Sequence, residues 1–236
     1  MAGGAPAYIN YRCLCPKHLH AYRIRNAYDI CNLMAAIKLE GTEKTMWDVT
    51  QCPEKLNAIA ADTARLGFIM GSEPKTGALL RLLAASKPGA RILEIGTGTG
   101  ISAAWLLDGM DGGSSLVSIE NDAQCQDVAK KHIGKDSRVS FICQDGEEFL
   151  KSVQDQRFDL VFADSWPGKF NGLQLALNVV ARGGYYIIDD LFPQPGWPDG
   201  HAPKVPKLVE ELEGHQDFVS LKLDWASGLM VLVRLQ

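Results

Sequence analysis

The chain has 236 residues, 46% of them hydrophobic and 22% charged, with 24 basic against 28 acidic side chains for a net charge of −4. That length suits one α/β domain of roughly 200–250 residues with a full core, and the composition excludes intrinsic disorder, collagen-like repeats and coiled coil. The slight acidity argues against a protein whose main work is to neutralise nucleic-acid phosphates or anionic lipid, so a small-molecule partner is expected, with no nucleic acid and no membrane.

Six cysteines are too few for a disulfide scaffold in a chain this long. No apolar run approaches the roughly 20 residues that span a bilayer, and the N-terminus lacks the basic start, apolar stretch and small-residue cleavage site of a secretory signal. A reducing, cytoplasmic setting is expected. Arg12, Lys17, Arg23 and Arg25 precede the first acid, Asp29, which keeps an organelle transit peptide as an alternative, although the segment is poor in serine. A homodimer is compatible with the sequence and not specified by it.

Residues 1–26 have no clear periodicity and read as an irregular arm. Cys13, Cys15, His18 and His20 cluster there. Their spacing fits none of the recurrent structural-zinc patterns and no second ligand pair follows, so incidental clustering is the preferred reading. From Ala27 to Leu39, Ile30, Leu33, Met34 and Ile37 fall at helical spacing. A second amphipathic helix starts near Pro53 with Leu56, Ile59 and Ala60, and a third follows Pro74 with Leu79, Leu80 and Leu83 on one stripe. Residues 1–68 are thus read as an arm and an N-terminal helical cap, and 69–236 as the α/β core of one domain.

After Pro88-Gly89 short apolar runs ending in glycine or an acid alternate with helical stretches, the texture of βαβ units. The expected strands are Arg91–Gly96, Leu116–Glu120, Val139–Cys143, Phe158–Ala163, Tyr185–Asp189, Val219–Leu223 and Leu229–Leu235. Helices are expected near Ile101–Leu107, Asp122–His132, Glu147–Val153 and Leu173–Val180, so right-handed crossovers make the first five strands a parallel, doubly wound sheet. A loop dense in proline and glycine, Pro193–His201, precedes a helix carrying Leu208, Val209 and Leu212. Only Asp224–Gly228 separates the last two strands, too few residues for a crossover, so they form an antiparallel hairpin. The expected fold is therefore a Rossmann-like, seven-stranded, mostly parallel sheet.

The most informative string is Ile92-Leu93-Glu94-Ile95-Gly96-Thr97-Gly98-Thr99-Gly100, a strand running into a glycine loop and then a helix. Such a loop lets a ligand approach the backbone where helix N–H groups are free. A dinucleotide site would place its third glycine at the position held by Ile101. Glu120 closes the second strand, where a carboxylate can accept both hydroxyls of a ribose set against the glycine loop; ribose binding is preferred here to a merely solvated acid. Gln144-Asp145 after the third strand then falls on the adenine side. Trp166 beyond the fourth offers a stacking face, against a competing reading of plain edge packing.

On these residues the chain resembles the class I S-adenosylmethionine-dependent methyltransferases, in their catechol O-methyltransferase-like branch, from about Gly67 to the C-terminus. Met70-Gly71-Ser72-Glu73-Pro74-Lys75-Thr76-Gly77 is similar to the stretch that touches the methionine part of the cofactor, and Glu94-Ile95-Gly96 through Gly98, Gly100, Ile101 and Ser102 to the family's glycine loop. Glu120 stands where the ribose-binding acid stands, Cys143-Gln144-Asp145 resembles the adenine-side turn, and Asp164-Ser165-Trp166 and Asp189-Asp190 resemble the two metal-bearing strand ends. The resemblance implies S-adenosylmethionine, a divalent metal such as Mg²⁺ on Asp164, Asp189 and Asp190, and methyl transfer to a hydroxyl of a small, aromatic acceptor. Two departures stand out. Relatives commonly carry Asp-Asn where this chain has Asp189-Asp190, and Lys169 lies two places further from Asp164 than the family's catalytic lysine.

Three carboxylates at neighbouring strand ends would repel without a cation, and an all-oxygen set suits a hard ion; the competing reading has Asp190 capping a turn. Lys169 or His201 is the expected proton acceptor beside Asp164. For His201 a plain surface-loop histidine is the preferred alternative, and His132 and His215 are expected on exposed stretches without a role. The helical cap and the Trp197 loop would exclude water from the reaction. Two other classes compete: a methyltransferase of protein or nucleic-acid nitrogen, which would carry an Asn/Asp-Pro-Pro-aromatic turn where this chain has Asp164-Ser165-Trp166-Pro167, and a protein that binds the cofactor without turnover.

Overall fold

The computed structural model describes residue 49, residues 51–194 and residues 197–236. The arm with its Cys13–His20 cluster and the expected helix at Ala27–Leu39 lie outside the described residues.

In chain order the described elements are α1 (Leu56–Leu66), α2 (Pro74–Ala85), β1 (Arg91–Ile95), α3 (Ile101–Gly109), β2 (Ser115–Glu120), α4 (Ala123–Ile133), β3 (Val139–Cys143), α5 (Gly146–Ser152), β4 (Phe158–Ala163), α6 (Leu173–Asn178), β5 (Val180–Ile188), a 3₁₀ turn at Ala202–Lys204, α7 (Val205–Glu213), β6 (Phe218–Leu223) and β7 (Leu229–Arg234). The seven strands form one sheet in the order β3-β2-β1-β4-β5-β7-β6. Strands β1 to β5 pair in parallel, and β7 runs antiparallel to both β5 and β6. The doubly wound sheet and the C-terminal hairpin expected from the sequence are both present.

The alternation within β1 shows why the sheet needs two helical layers. Leu93 and Ile95 enter one core with Val161, Tyr186 and Ile188 under the helical residues Phe149, Leu150, Leu208 and Leu212. Ile92 enters the other with Leu160, Phe162 and Ile187 against Leu80, Ala103 and Leu106. Each such side chain, fully buried, contributes about 1.5–3 kcal/mol. Helix α3 is buried over most of its circumference, from Ser102 to Leu107. It meets α2 so closely that a Cβ on Gly77 would lie 2.2 Å from the Trp105 ring. Asp122 and Asp145 cap α4 and α5 by accepting from backbone N–H groups two and three residues on.

One strand boundary and two histidines differ from expectation. Strand β5 begins at Val180, directly after α6, and pairs Val180 with Phe158 before a register shift to Tyr185 opposite Leu160. The cause is Gly183, at φ +70, which bends the strand and masks its first half as turn sequence. His132 is not on an exposed stretch: its Nε2 lies 2.7 Å from Asp62 Oδ2, and Lys131 Nζ reaches the same oxygen at 2.6 Å. These contacts tie α1 to α4. His215 also packs, edge-on against Phe218 at 5.1 Å. Among the described residues no helix is long and apolar enough to cross a membrane.

Candidate active site

Strand β1 sits between β2 and β4, so the loops leaving its carboxyl end and that of β4 open the crevice in which parallel α/β sheets hold ligands. The glycine loop follows β1. Gly96 has φ +105, and a Cβ there would lie 2.7 Å from the Asp164 carbonyl oxygen. A side chain at Gly96 would therefore force apart the two loops that define the crevice. Asp164 N–H donates to the Ile95 carbonyl at 2.9 Å, and Gly96 N–H to Ile119 at 2.9 Å, which fixes the three strand ends relative to one another.

Glu120 is half-buried at the end of β2. Its Oε2 accepts the Gly98 N–H at 2.7 Å, and its Oε1 accepts Asn121 and Asp122 N–H at 2.9 and 3.0 Å. The carboxylate thus faces the glycine loop in a fixed orientation. Glu94 has no solvent exposure; its Oε2 accepts from Ser118 Oγ at 2.5 Å, and Ser118 Oγ lies 2.6 Å from Thr97 Oγ1. Burial pushes the Glu94 pKa up to about 7, against the opposing pull of the Ser102 and Ser118 hydroxyls. Ser102 is buried and turned to Glu94. Gln144 is exposed, with its N–H donating to the Glu120 carbonyl at 2.9 Å, and Asp145 serves as the cap of α5.

Asp164, Asp189 and Asp190 converge, each offering a carboxylate oxygen within 4.8 Å of the others'. Ser72 Oγ donates to Asp164 Oδ2 at 2.9 Å, which carries the segment before α2 to the same centre. Asp190 adopts φ +56, a left-handed conformation that aspartate tolerates better than most residues, and its N–H lies 3.3 Å from Ser227 Oγ. Lys169 is 2% exposed; its Nζ donates to the Asp189 carbonyl at 3.0 Å and lies 3.6 Å from Asp189 Oδ1. Burial raises Asp164 to about 6, with Lys169 acting against it. Asp189 is raised well above the ordinary range, by burial and by the charge of Asp164 beside it. Carboxylates held this unfavourably suit a divalent cation, and three hard oxygen donors fit Mg²⁺.

His201 is not a surface residue. It is 4% exposed, stacked on Trp197 at 4.2 Å and edge-on to Phe170 at 4.9 Å. Trp166 packs edge-on against Phe170 at 5.9 Å and also lies 6.4 Å from His201. Neither ring nitrogen of His201 makes a well-formed hydrogen bond among the described residues. Burial and the Lys169 charge hold its pKa below the ordinary histidine value, while the Asp190 backbone beside it pulls the other way. The apolar partners explain the burial: the loop folds its aromatic residues onto the segment after β4. Phe170 and Lys204 in this cluster escaped the sequence reading. Phe170 had a signal, an aromatic four places after Trp166; Lys204 had none.

Residues 93–191 match the family described as a methyltransferase domain. Over 98 residues the chain is 36% identical to a Mycolicibacterium smegmatis protein provisionally named an O-methyltransferase, covering 40% of this chain and 47% of that one. A Mycobacterium ulcerans protein with the same provisional name is 37% identical over 98 residues, covering 40% and 44%. The match thus spans less than half the length of these relatives. Among solved structures, the O-methyltransferase TomG from Streptomyces achromogenes, in complex with SAM, superposes with TM-score 0.67 at 21% identity over 87% of this chain and 96% of its own. An O-methyltransferase from Bacillus cereus in complex with SAH gives 0.67 at 20% identity over 88% and 100%. The match to a methyltransferase domain thus covers residues 93–191, which hold the glycine loop, Glu120, Asp164, Asp189 and Asp190, and the superposed O-methyltransferase structures share the fold.

Proposed function

We propose that the chain is an O-methyltransferase that moves the methyl of S-adenosylmethionine to a hydroxyl of a small aromatic acceptor. The carrying observation is the presence of two charge environments at the carboxyl ends of neighbouring strands: Glu120 at the end of β2, fixed at the glycine loop, and the Asp164-Asp189-Asp190 cluster after β4 and β5. The names of the relatives and of the solved neighbours support the same reading. Glu120 and the loop backbone would hold the ribose, and Gln144, Asp145 and Trp166 would flank the adenine. Ser72, Glu94 and the loop around Gly96, Gly98, Gly100 and Ser102 would receive the methionine end.

The acceptor's hydroxyl oxygen attacks the sulfonium methyl in line, so the chain must fix that oxygen and remove its proton. Asp164, Asp189 and Asp190 would hold a divalent ion such as Mg²⁺, which supplies a lower hydroxyl pKa and a fixed direction for the nucleophile. Lys169, tied to Asp189, orients that carboxylate. His201, kept neutral by its surroundings, is the better proton acceptor of the two candidates. The Trp166, Phe170 and Trp197 rings keep water from a reaction in which charge disperses.

The test is methylation of a panel of catechols and other vicinal hydroxyl compounds with Mg²⁺, repeated after chelation and with Asp189→Ala. Turnover is expected to fall in both cases while S-adenosylmethionine still binds. Methylation that survives both treatments refutes the metal and leaves Lys169 or His201 as the sole assistance.

A further inference from the structure

Beside the acidic centre lies a patch of opposite character. Lys204 Nζ sits 5.0 Å from the Trp166 ring centroid and 5.9 Å from that of Phe170. It is half-buried, and among the described residues it makes no ion pair with any carboxylate. One turn earlier, His201 is nine-tenths buried beside the Asp190 backbone, and the stacked Trp197 has a buried indole N–H with no partner among the described residues. A buried donor without a partner costs on the order of 1–3 kcal/mol, so the Trp197 indole beside Lys204 calls for an acceptor atom that the described residues do not provide. Lys204 is also the residue that caps α7, where the helix dipole adds partial positive charge.

We infer that Lys204 and the Trp197 indole N–H form a subsite for an anionic oxygen group on the methyl acceptor, making the preferred substrate class a vicinally hydroxylated aromatic acid. This rests on the O-methylation reading above. Phe170 receives the ring. The acidic cluster serves the two hydroxyls, and the carboxylate on the far side of the ring meets Lys204, which has no carboxylate partner among the described residues.

The experiment compares 3,4-dihydroxybenzoate with 3,4-dihydroxybenzamide, which share ring, hydroxyls and size but differ in charge. Wild type should prefer the acid in kcat/KM by about tenfold, the worth of one charge-assisted hydrogen bond. Lys204→Met should bring the ratio to within about threefold, and Lys204→Arg should keep most of it. Calorimetric binding of the acid in the presence of S-adenosylhomocysteine should follow the same order, a readout independent of turnover. Unchanged S-adenosylhomocysteine affinity in Lys204→Met establishes that the variant is folded. Equal methylation of acid and amide by wild type, or a preference that Lys204→Met retains, overturns the subsite while leaving O-methylation standing. Failure to methylate either compound overturns the aromatic-acceptor reading, and the subsite with it.

Discussion

Glu94 offers a test of the site that needs no substrate. Its carboxyl ionises near 4.5 in an ordinary setting and near 7 in the fold. The difference, about 2.5 pH units, corresponds to about 3 kcal/mol. The sign follows from which state holds the proton. Below pH 4.5 Glu94 is neutral in both states and contributes nothing differential. Between 4.5 and 7 the unfolded chain has lost a proton that the folded chain keeps, so stability falls as pH rises, and above 7 the whole cost is present. Glu94→Gln removes the ionisation. Relative to wild type, the cofactor-free variant should therefore gain about 3 kcal/mol between pH 4 and pH 8, whatever constant offset the lost Ser118 hydrogen bond adds. Urea unfolding at pH 4, 6 and 8 measures this, and groups common to both proteins cancel. An offset that does not change with pH would refute the burial argument. The functional corollary is that a cationic ligand beside Glu94 favours its ionised form. S-adenosylmethionine binding near pH 6.5 should release protons, seen as a buffer-dependent calorimetric enthalpy, and Glu94→Gln should abolish the release.

Glu120→Ala should weaken S-adenosylmethionine by about 1–3 kcal/mol in calorimetry, because ribose hydroxyls and the Gly98 N–H lose one charged acceptor together; unchanged affinity would remove the ribose role. Gly96→Ala, at φ +105 and 2.7 Å from the Asp164 carbonyl, should cost on the order of 1–3 kcal/mol of stability and more cofactor affinity than a surface Gly→Ala such as Gly112→Ala. If His201 takes the proton in its neutral form, kcat/KM should rise with pH along a limb below 6.5 and level off near neutrality. His201→Gln should lose that limb, and a profile unchanged by the substitution would return the role to Lys169.

Much of this arrangement was legible in the sequence because the decisive signals are local. A strand ending in Gly96-Thr97-Gly98-Thr99-Gly100 and an acid closing the next strand need only the chain order of a doubly wound sheet to become neighbours. The acids at Asp164 and Asp189 converge for the same reason, since β4 and β5 are adjacent and parallel. The misreadings are of another kind. His201 looked like a loop residue because its burial comes from Trp197 and Phe170, one of them some thirty positions away, and no periodicity marks a loop that packs by its aromatic side chains. His132 looked exposed on a polar helix until Asp62 of α1 supplied its partner. The first half of β5 was missed because Gly183-Gly184 interrupts its apolar pattern, and the pair proved to be a bend within one strand.

The central claim is methyl transfer from S-adenosylmethionine to an acceptor oxygen. Incubation of the purified chain with Mg²⁺, methyl-deuterated S-adenosylmethionine and the catechol panel, followed by mass spectrometry, tests it directly. The account predicts S-adenosylhomocysteine and a deuterated methyl ether in equal amounts, with the label on one of two vicinal oxygens. Label found on nitrogen or on protein, or cofactor bound with no transfer to any member of the panel, would contradict it.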